Sequence, residues 1–168
     1  MQFPKILLEK ISYYLLDRNE TISIAESVTS GFVQLAFSQM PEASQFFFGG
    51  LTAYTLEEKV KLLDIDAEEA KAVNCVSQTV TEIMALNVAE KFGSDWSIAT
   101  TGYATPVPES GHEIFAYYSI SYRGEVVLSD KIELHPLTKA LDAQNYFTEC
   151  ILSNLRCEVK KHPLPISV

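Results

Sequence analysis

At 168 residues and 47% hydrophobic content, the chain holds enough apolar side chains for one core and too little length for a second domain of ordinary size. A net charge of −9 with no cluster of Lys or Arg argues against a nucleic-acid or anionic-membrane surface. No apolar run approaches the ~20 residues of a membrane span and the start MQFPKILLEK lacks a signal-peptide layout, so a cytoplasmic location is expected.

Phe3, Ile6, Leu7, Ile11, Tyr14 and Leu15 recur at helical spacing and predict a first amphipathic helix ending near Asn19. A short apolar strand, Thr21 to Ala25, follows, then a helix from about Thr29 to Gln39 stopped by Pro41. Phe46 to Tyr54 reads as a buried strand, with a bulge or close backbone approach at Gly49-Gly50. Short helices are expected around Leu56 to Leu63 and Asp66 to Val73, and a longer one runs from the cap Ser77 to Gly93.

Trp96 to Thr101 reads as a strand, followed by a loop from Gly102 to His112. Glu113 to Ser121 and Glu125 to Leu134 form a predicted hairpin around Arg123-Gly124. A last helix from about Thr138 to Cys157 places Leu141, Phe147, Ile151 and Leu155 on one side, and residues 158–168 are expected to be a loose tail. One domain, 1–157, is the expectation. Strands interleaved with helices, plus a hairpin, imply a mixed sheet covered on both faces.

Two classes of site receive no support. Cys150 and Cys157 lie about 10 Å apart along a helix, too far for a disulfide. His112, His135 and His162 lack paired metal-ligand spacing, so no metal is expected.

The informative segment is IAESVTSGF, 24–32: a strand runs into Glu26, Ser27 and a small-residue turn, then a helix. Such a junction aims backbone N–H groups and a helix dipole at whatever sits above the turn, which suits an anion or a developing oxyanion. Alone, Ser27 and Thr29 read better as helix caps than as a site. In these folds ligands gather at strand ends, where the loops after Ala25, Tyr54 and Thr101 would converge.

Three later segments, FFFGGLTAYTLEEKVKLLDI (46–65), CVSQTVTEIM (75–84) and ATTGYATP (99–106), join AESVTSG in an ordered set. Together they resemble the C-terminal domain of the competence/damage-inducible CinA family, from about Phe3 to about Leu155. Active members of that family are nicotinamide mononucleotide deamidases. The resemblance implies a three-layer α/β/α sandwich around a mixed sheet, a tendency to homodimerise and, because the large N-terminal domain of many members is missing, the stand-alone form.

The implied chemistry is hydrolysis of a carboxamide, giving nicotinic acid mononucleotide and ammonia without a cofactor. The family's serine, tyrosine and lysine fall on Ser27 as nucleophile, Tyr54 as a relaying or orienting hydroxyl, and Lys59 as base and later proton donor. A lysine serves as base only when its pKa falls well below ~10.4. Outside the family context Lys59 in LEEKVK reads as a solvated helix lysine, and Tyr54 as a core residue with its hydroxyl at the edge. The resemblance further assigns substrate contacts to Glu26, Thr29, Ser30, Gly31, Thr101, Gly102, Ala104 and Thr105, with N–H groups near Thr29 to Gly31 holding the oxyanion.

The sequence departs from the family pattern at three places. Ser30 stands where the family's ESCTGG has glycine, Thr105 replaces a glycine of the TGxAGPGG loop, and IELHPLTKALDAQNYF lacks the arginines of a G-D-R-x-x-x-R segment. A phosphate then lacks an evident bidentate partner. The alternatives are a substrate without phosphate and a catalytically silent ligand-binding or interaction module.

Overall fold

The computed structural model describes residues 3–162 and shows a five-stranded mixed sheet with helices on both faces. Helix α1 (Lys5–Arg18) leads through left-handed Asn19 into β1 (Ile22–Glu26). Then come α2 (Phe32–Ser38), β2 (Phe47–Thr52), α3 (Leu56–Leu63), α4 (Ala67–Ala72) and α5 (Gln78–Phe92). The second half is β3 (Trp96–Tyr103), the hairpin β4 (Ile114–Tyr122) and β5 (Glu125–Leu134), and α6 (Ala140–Lys161). Among the described residues, no helix is long and apolar enough to cross a membrane.

The strand order is β2-β1-β3-β4-β5, with β1 parallel to β2 and β3, and antiparallel pairs β3–β4 and β4–β5. The hairpin turns at Arg123 and Gly124, φ 49° and 83°, as two residues with positive φ must to match the strand twist. Alternation along the strands splits the core in two. Ile22, Ile24, Trp96 and Ile98 pack under α1, α2 and α6, whereas Ala25 and Ala99 face the cluster made with α3, α4 and α5. Small residues on that second face let α5 lie close: the Ser23 hydroxyl donates to the Val88 carbonyl at 3.2 Å and that of Ser97 to Ala85 at 2.6 Å.

Several expected elements shift. β2 lies at the sheet edge and is only partly buried, with Phe48 exposed, so the buried strand expected there is an edge strand. Its register slips by one residue opposite Ile22 and Ser23, which skips Phe48 and puts a bulge beside Gly49. α2 starts at Phe32 because the turn before it is used otherwise, as described below. α6 runs on to Lys161, which removes residues 158–161 from the expected loose tail; residues 163–168 lie outside the described part. Leu141, expected on the buried side of α6, is 58% exposed, while Ala143, Phe147, Ile151 and Leu155 carry the packing.

Candidate active site

The parallel strands β1, β2 and β3 end on the same side of the sheet, and their following loops enclose a cavity of about 630 Å³. Ser27 and Val28 enter it from β1, Tyr54 from β2, and Thr101 to Thr105 from β3. Lys59 comes from α3. Leu56 of α3, Lys71 of α4, residues 74–76 of the α4–α5 turn, Val107 and Glu109 of the loop after β3, and Ala140 and Gln144 of α6 complete the wall.

Helix α3 explains how a lysine comes to be inside. Thr55 caps it by accepting from the Glu58 N–H, and Leu56, Lys59 and Leu63 fall three and four positions apart on one face. Lys59 occupies an apolar-stripe position and is only 2% exposed. Its Nζ lies 3.0 Å from Ser27 Oγ, 2.8 Å from the Ala53 carbonyl and 3.2 Å from the Tyr54 carbonyl. A lysine has three N–H donors as the ammonium, and as the neutral amine two donors and one lone pair. With two N–H groups held by the carbonyls, the third position of the nitrogen faces Ser27. Burial lowers the Lys59 pKa; a Cys75 thiolate would oppose that shift, but burial pushes the Cys75 thiol up, away from ionisation.

Tyr54 joins the site differently from expectation. Its carbonyl accepts from Lys59, its side chain is 70% exposed on the cavity rim, and its hydroxyl bonds to neither Ser27 nor Lys59.

The turn after β1 is held from within. Glu26 is fully buried, and its carboxylate accepts from the N–H groups of Gly31 at 2.9 Å, Val33 at 3.2 Å and Gln34 at 2.8 Å. A negative group at a helix N-terminus is stabilising, so the anion expected there is supplied by the chain itself. The Ser30 N–H is also used, donating to the Ser27 carbonyl at 3.1 Å. Glu26, Thr29, Ser30 and Gly31 therefore lie off the cavity wall. Thr29 is buried and shares a 2.8 Å hydrogen bond with the hydroxyl of Thr100, which also faces the Ser27 N–H at 3.4 Å. Ser30 itself has φ 51°, a left-handed conformation that favours glycine.

Of the other expected contacts, Thr101, Gly102, Ala104 and Thr105 do line the cavity. Thr101 is buried and donates to the Cys75 carbonyl at 2.9 Å, tying β3 to the α4–α5 turn. Sequence reasoning missed Thr100, Cys75 and Gln144. Thr100 sits one position before a residue that was singled out, and strand alternation turns the two side chains to opposite faces.

A mixed sheet with a buried serine–lysine pair at the ends of its parallel strands defines the class: an α/β protein with a serine hydroxyl beside a buried lysine amine. The chain belongs to the CinA C-terminal domain family, whose profile matches residues 5–125. It is 42% identical over 92 residues to a CinA-like protein of Synechocystis sp., covering 55% of this chain and 22% of that protein. A CinA-like protein of Prochlorococcus marinus (strain MIT 9301) is 32% identical over 155 residues, 91% of this chain and 36% of that one. The chain thus spans about a third or less of the length of these curated relatives. Among solved structures, a competence-damaged protein (CinA) superfamily protein from Klebsiella pneumoniae superposes with TM-score 0.87 at 20% identity, covering 96% of this chain and 100% of that one. Competence/damage inducible protein CihA from Agrobacterium tumefaciens gives 0.83 at 20% identity over 95% and 99%. At these identities the structures establish the shared fold.

Proposed function

We propose that the chain is an amidohydrolase of the nicotinamide-nucleotide deamidase type, converting the carboxamide of nicotinamide mononucleotide to the carboxylate with release of ammonia. The observation that carries this reading is the 3.0 Å approach of the buried Lys59 Nζ to Ser27 Oγ, with the other two amine positions fixed on backbone carbonyls. Neutral Lys59 takes the Ser27 proton as Oγ bonds to the carboxamide carbon. The tetrahedral oxyanion collapses, the C–N bond breaks, and the proton on Lys59 leaves with ammonia. Water then attacks the acyl-serine by the same base and restores Ser27. Tyr54 contributes the carbonyl that orients the amine, with its ring at the rim beside the substrate. The N–H group of Val28, a residue of the cavity wall whose N–H meets no acceptor among the described residues, replaces those of Thr29 to Gly31 as oxyanion donor.

Ammonia release from nicotinamide mononucleotide tests the reading. Ser27→Ala and Lys59→Ala should each remove most of the rate, and the double variant should be little worse than either, since residues acting as a unit are not additive. Full activity in Ser27→Ala would sink it. A second reading, hydrolysis of a related amide without phosphate, is favoured by one observation: among the described residues no arginine lines the cavity, and its cations, Lys59 and Lys71, are point charges without the planar fork that grips a phosphate. Faster turnover of the phosphate-free riboside would select that reading.

A further inference from the structure

One wall of the cavity has a chemistry that the reaction at Ser27 does not use. Tyr103 ends β3 two residues beyond Thr101, so it stands about 7 Å further out along the strand on the same face of the sheet, half-buried and lining the cavity. Its ring is braced by its neighbours. It meets Phe115, its partner on β4, at 5.6 Å between centroids and 70° between planes, and Phe115 meets Tyr117 at 5.7 Å and 83°. The Lys131 Nζ lies 4.2 Å from the Phe115 centroid and holds that ring in turn. Gly102 has no room for a Cβ against the Phe115 carbonyl oxygen, so β3 lies tight on β4 where it delivers Tyr103. Glu109 enters the same wall from the loop that follows. Burial raises the pKa of the Tyr103 phenol and the charge of Glu109 raises it further, as a nearby carboxylate does.

A nicotinamide substituted on its ring nitrogen carries a fixed positive charge, which needs a counterpart once water is displaced. The other walls offer no charge to balance it. Lys71, and Lys59 whenever it is protonated, have the sign that repels it. On the α6 side Ala140 is apolar, and the Gln144 Nε2 is committed to the Val28 carbonyl at 3.0 Å. Glu109 is the only carboxylate among the described lining residues, and Tyr103 beside it brings an aromatic ring, whose negative face attracts a cation.

We propose that Tyr103 and Glu109 are the specificity-determining pair of this cavity: they form the subsite for a planar cationic ring and select pyridinium carboxamides over neutral aromatic amides of the same shape. This deepens the preceding reading and rests on it for the orientation of the amide toward Ser27. Neither residue touches the reacting atoms. The charge on the ring is the same in the ground state and the transition state, so the pair acts on binding and moves KM rather than kcat.

The test measures binding to the full chain by calorimetry with two probes of matched shape, the ring-N-methylated nicotinamide cation and meta-toluamide, in which carbon replaces the ring nitrogen. Wild type should bind the cation about tenfold more tightly than its neutral twin, and Tyr103→Phe, which keeps the ring, should preserve that ratio. Tyr103→Leu and Glu109→Gln should each cut the ratio to about threefold or less. Glu109 is exposed, so its substitution leaves the packing intact even where loss of the Tyr103 ring loosens the end of β3. With nicotinamide mononucleotide as substrate, KM should rise in both variants by about the factor lost in cation affinity while kcat changes little. Equal affinity of wild type for the two probes overturns the proposal, as does a preference that survives both Tyr103→Leu and Glu109→Gln, or no binding of the cation at about 10 mM. If the preference is present and lost in the variants of a protein that releases no ammonia, the subsite stands and the amidase chemistry falls; ammonia release without the preference overturns the subsite and leaves the amidase reading in place.

Discussion

Replacing Lys59 by methionine separates the chemistry of the amine from its cost to the fold. The apolar stem is preserved, so packing beside Leu63 changes little, while the nitrogen and its bonds to Ser27, Ala53 and Tyr54 are lost. Tyr54 is exposed and its carbonyl can turn to water; Ala53 is fully buried, and leaving its carbonyl short of a donor costs about 1–3 kcal/mol. Against this stands the relief of a desolvated ammonium, which applies only while wild-type Lys59 is protonated. Its native pKa lies below the ordinary 10.5, so between the two values the unfolded chain holds a proton that the native state has released. Wild-type stability therefore gains from this group as pH rises through that window, and the variant has no such gain. Urea unfolding of both proteins from about pH 6 to about pH 10 should show wild-type stability, relative to the variant, rising with pH. The amidase rate should fall about 10²–10⁴-fold in the variant, and wild-type kcat/KM should rise with pH to a plateau reached below the ordinary lysine range. A relative stability that is constant or falls with pH would refute the claim that Lys59 is held with a depressed pKa.

Glu26→Gln keeps the shape of the side chain but removes the charge from three backbone N–H bonds at the start of α2, and urea unfolding should show a loss of roughly 3 kcal/mol. Ser30→Gly relieves a left-handed serine and should stabilise by about 0.5–1 kcal/mol in the same assay, with KM unmoved because Ser30 lies off the cavity. Thr105→Gly, on the cavity wall, should instead lower KM for the mononucleotide with kcat changing less. Gly102→Ala would drive a Cβ into the Phe115 carbonyl oxygen across the β3–β4 pair, and thermal unfolding should show a loss of at least about 2 kcal/mol.

Periodicity exposed most of the elements in the sequence, and the Asn19 and Gly93 stops and the Ser77 cap lie where local chemistry puts them. The order of the strands was hidden, because the pairing that leaves β2 at the edge is decided by which partners meet in space. The serine and lysine were marked by a family pattern, yet the burial of Lys59 also had a physical signal: it shares the stripe of Leu56 and Leu63. The role of Glu26 was readable only in part. A carboxylate before a helix suggests capping, but its burial and use of three N–H groups follow from how the turn closes. Gln144 left no local trace, since its partner is 116 positions away.

Ser27, the two carbonyls that seat Lys59, and Lys59 itself all fall within 32 positions, on one parallel strand pair and the helix that follows. Much of the remaining wall comes from the second half of the chain: the end of β3, the loop after it, and α6. Reactivity and selectivity are thus written in separate stretches of sequence, joined by the bonds from Thr100 and Gln144 to the turn after β1. Such a layout is modular. Exchanging segments 101–109 and 137–143 for those of a relative should retarget the pocket without rebuilding its reactive pair, whereas no exchange within 22–59 can leave that pair untouched unless it keeps the β1–β2 register.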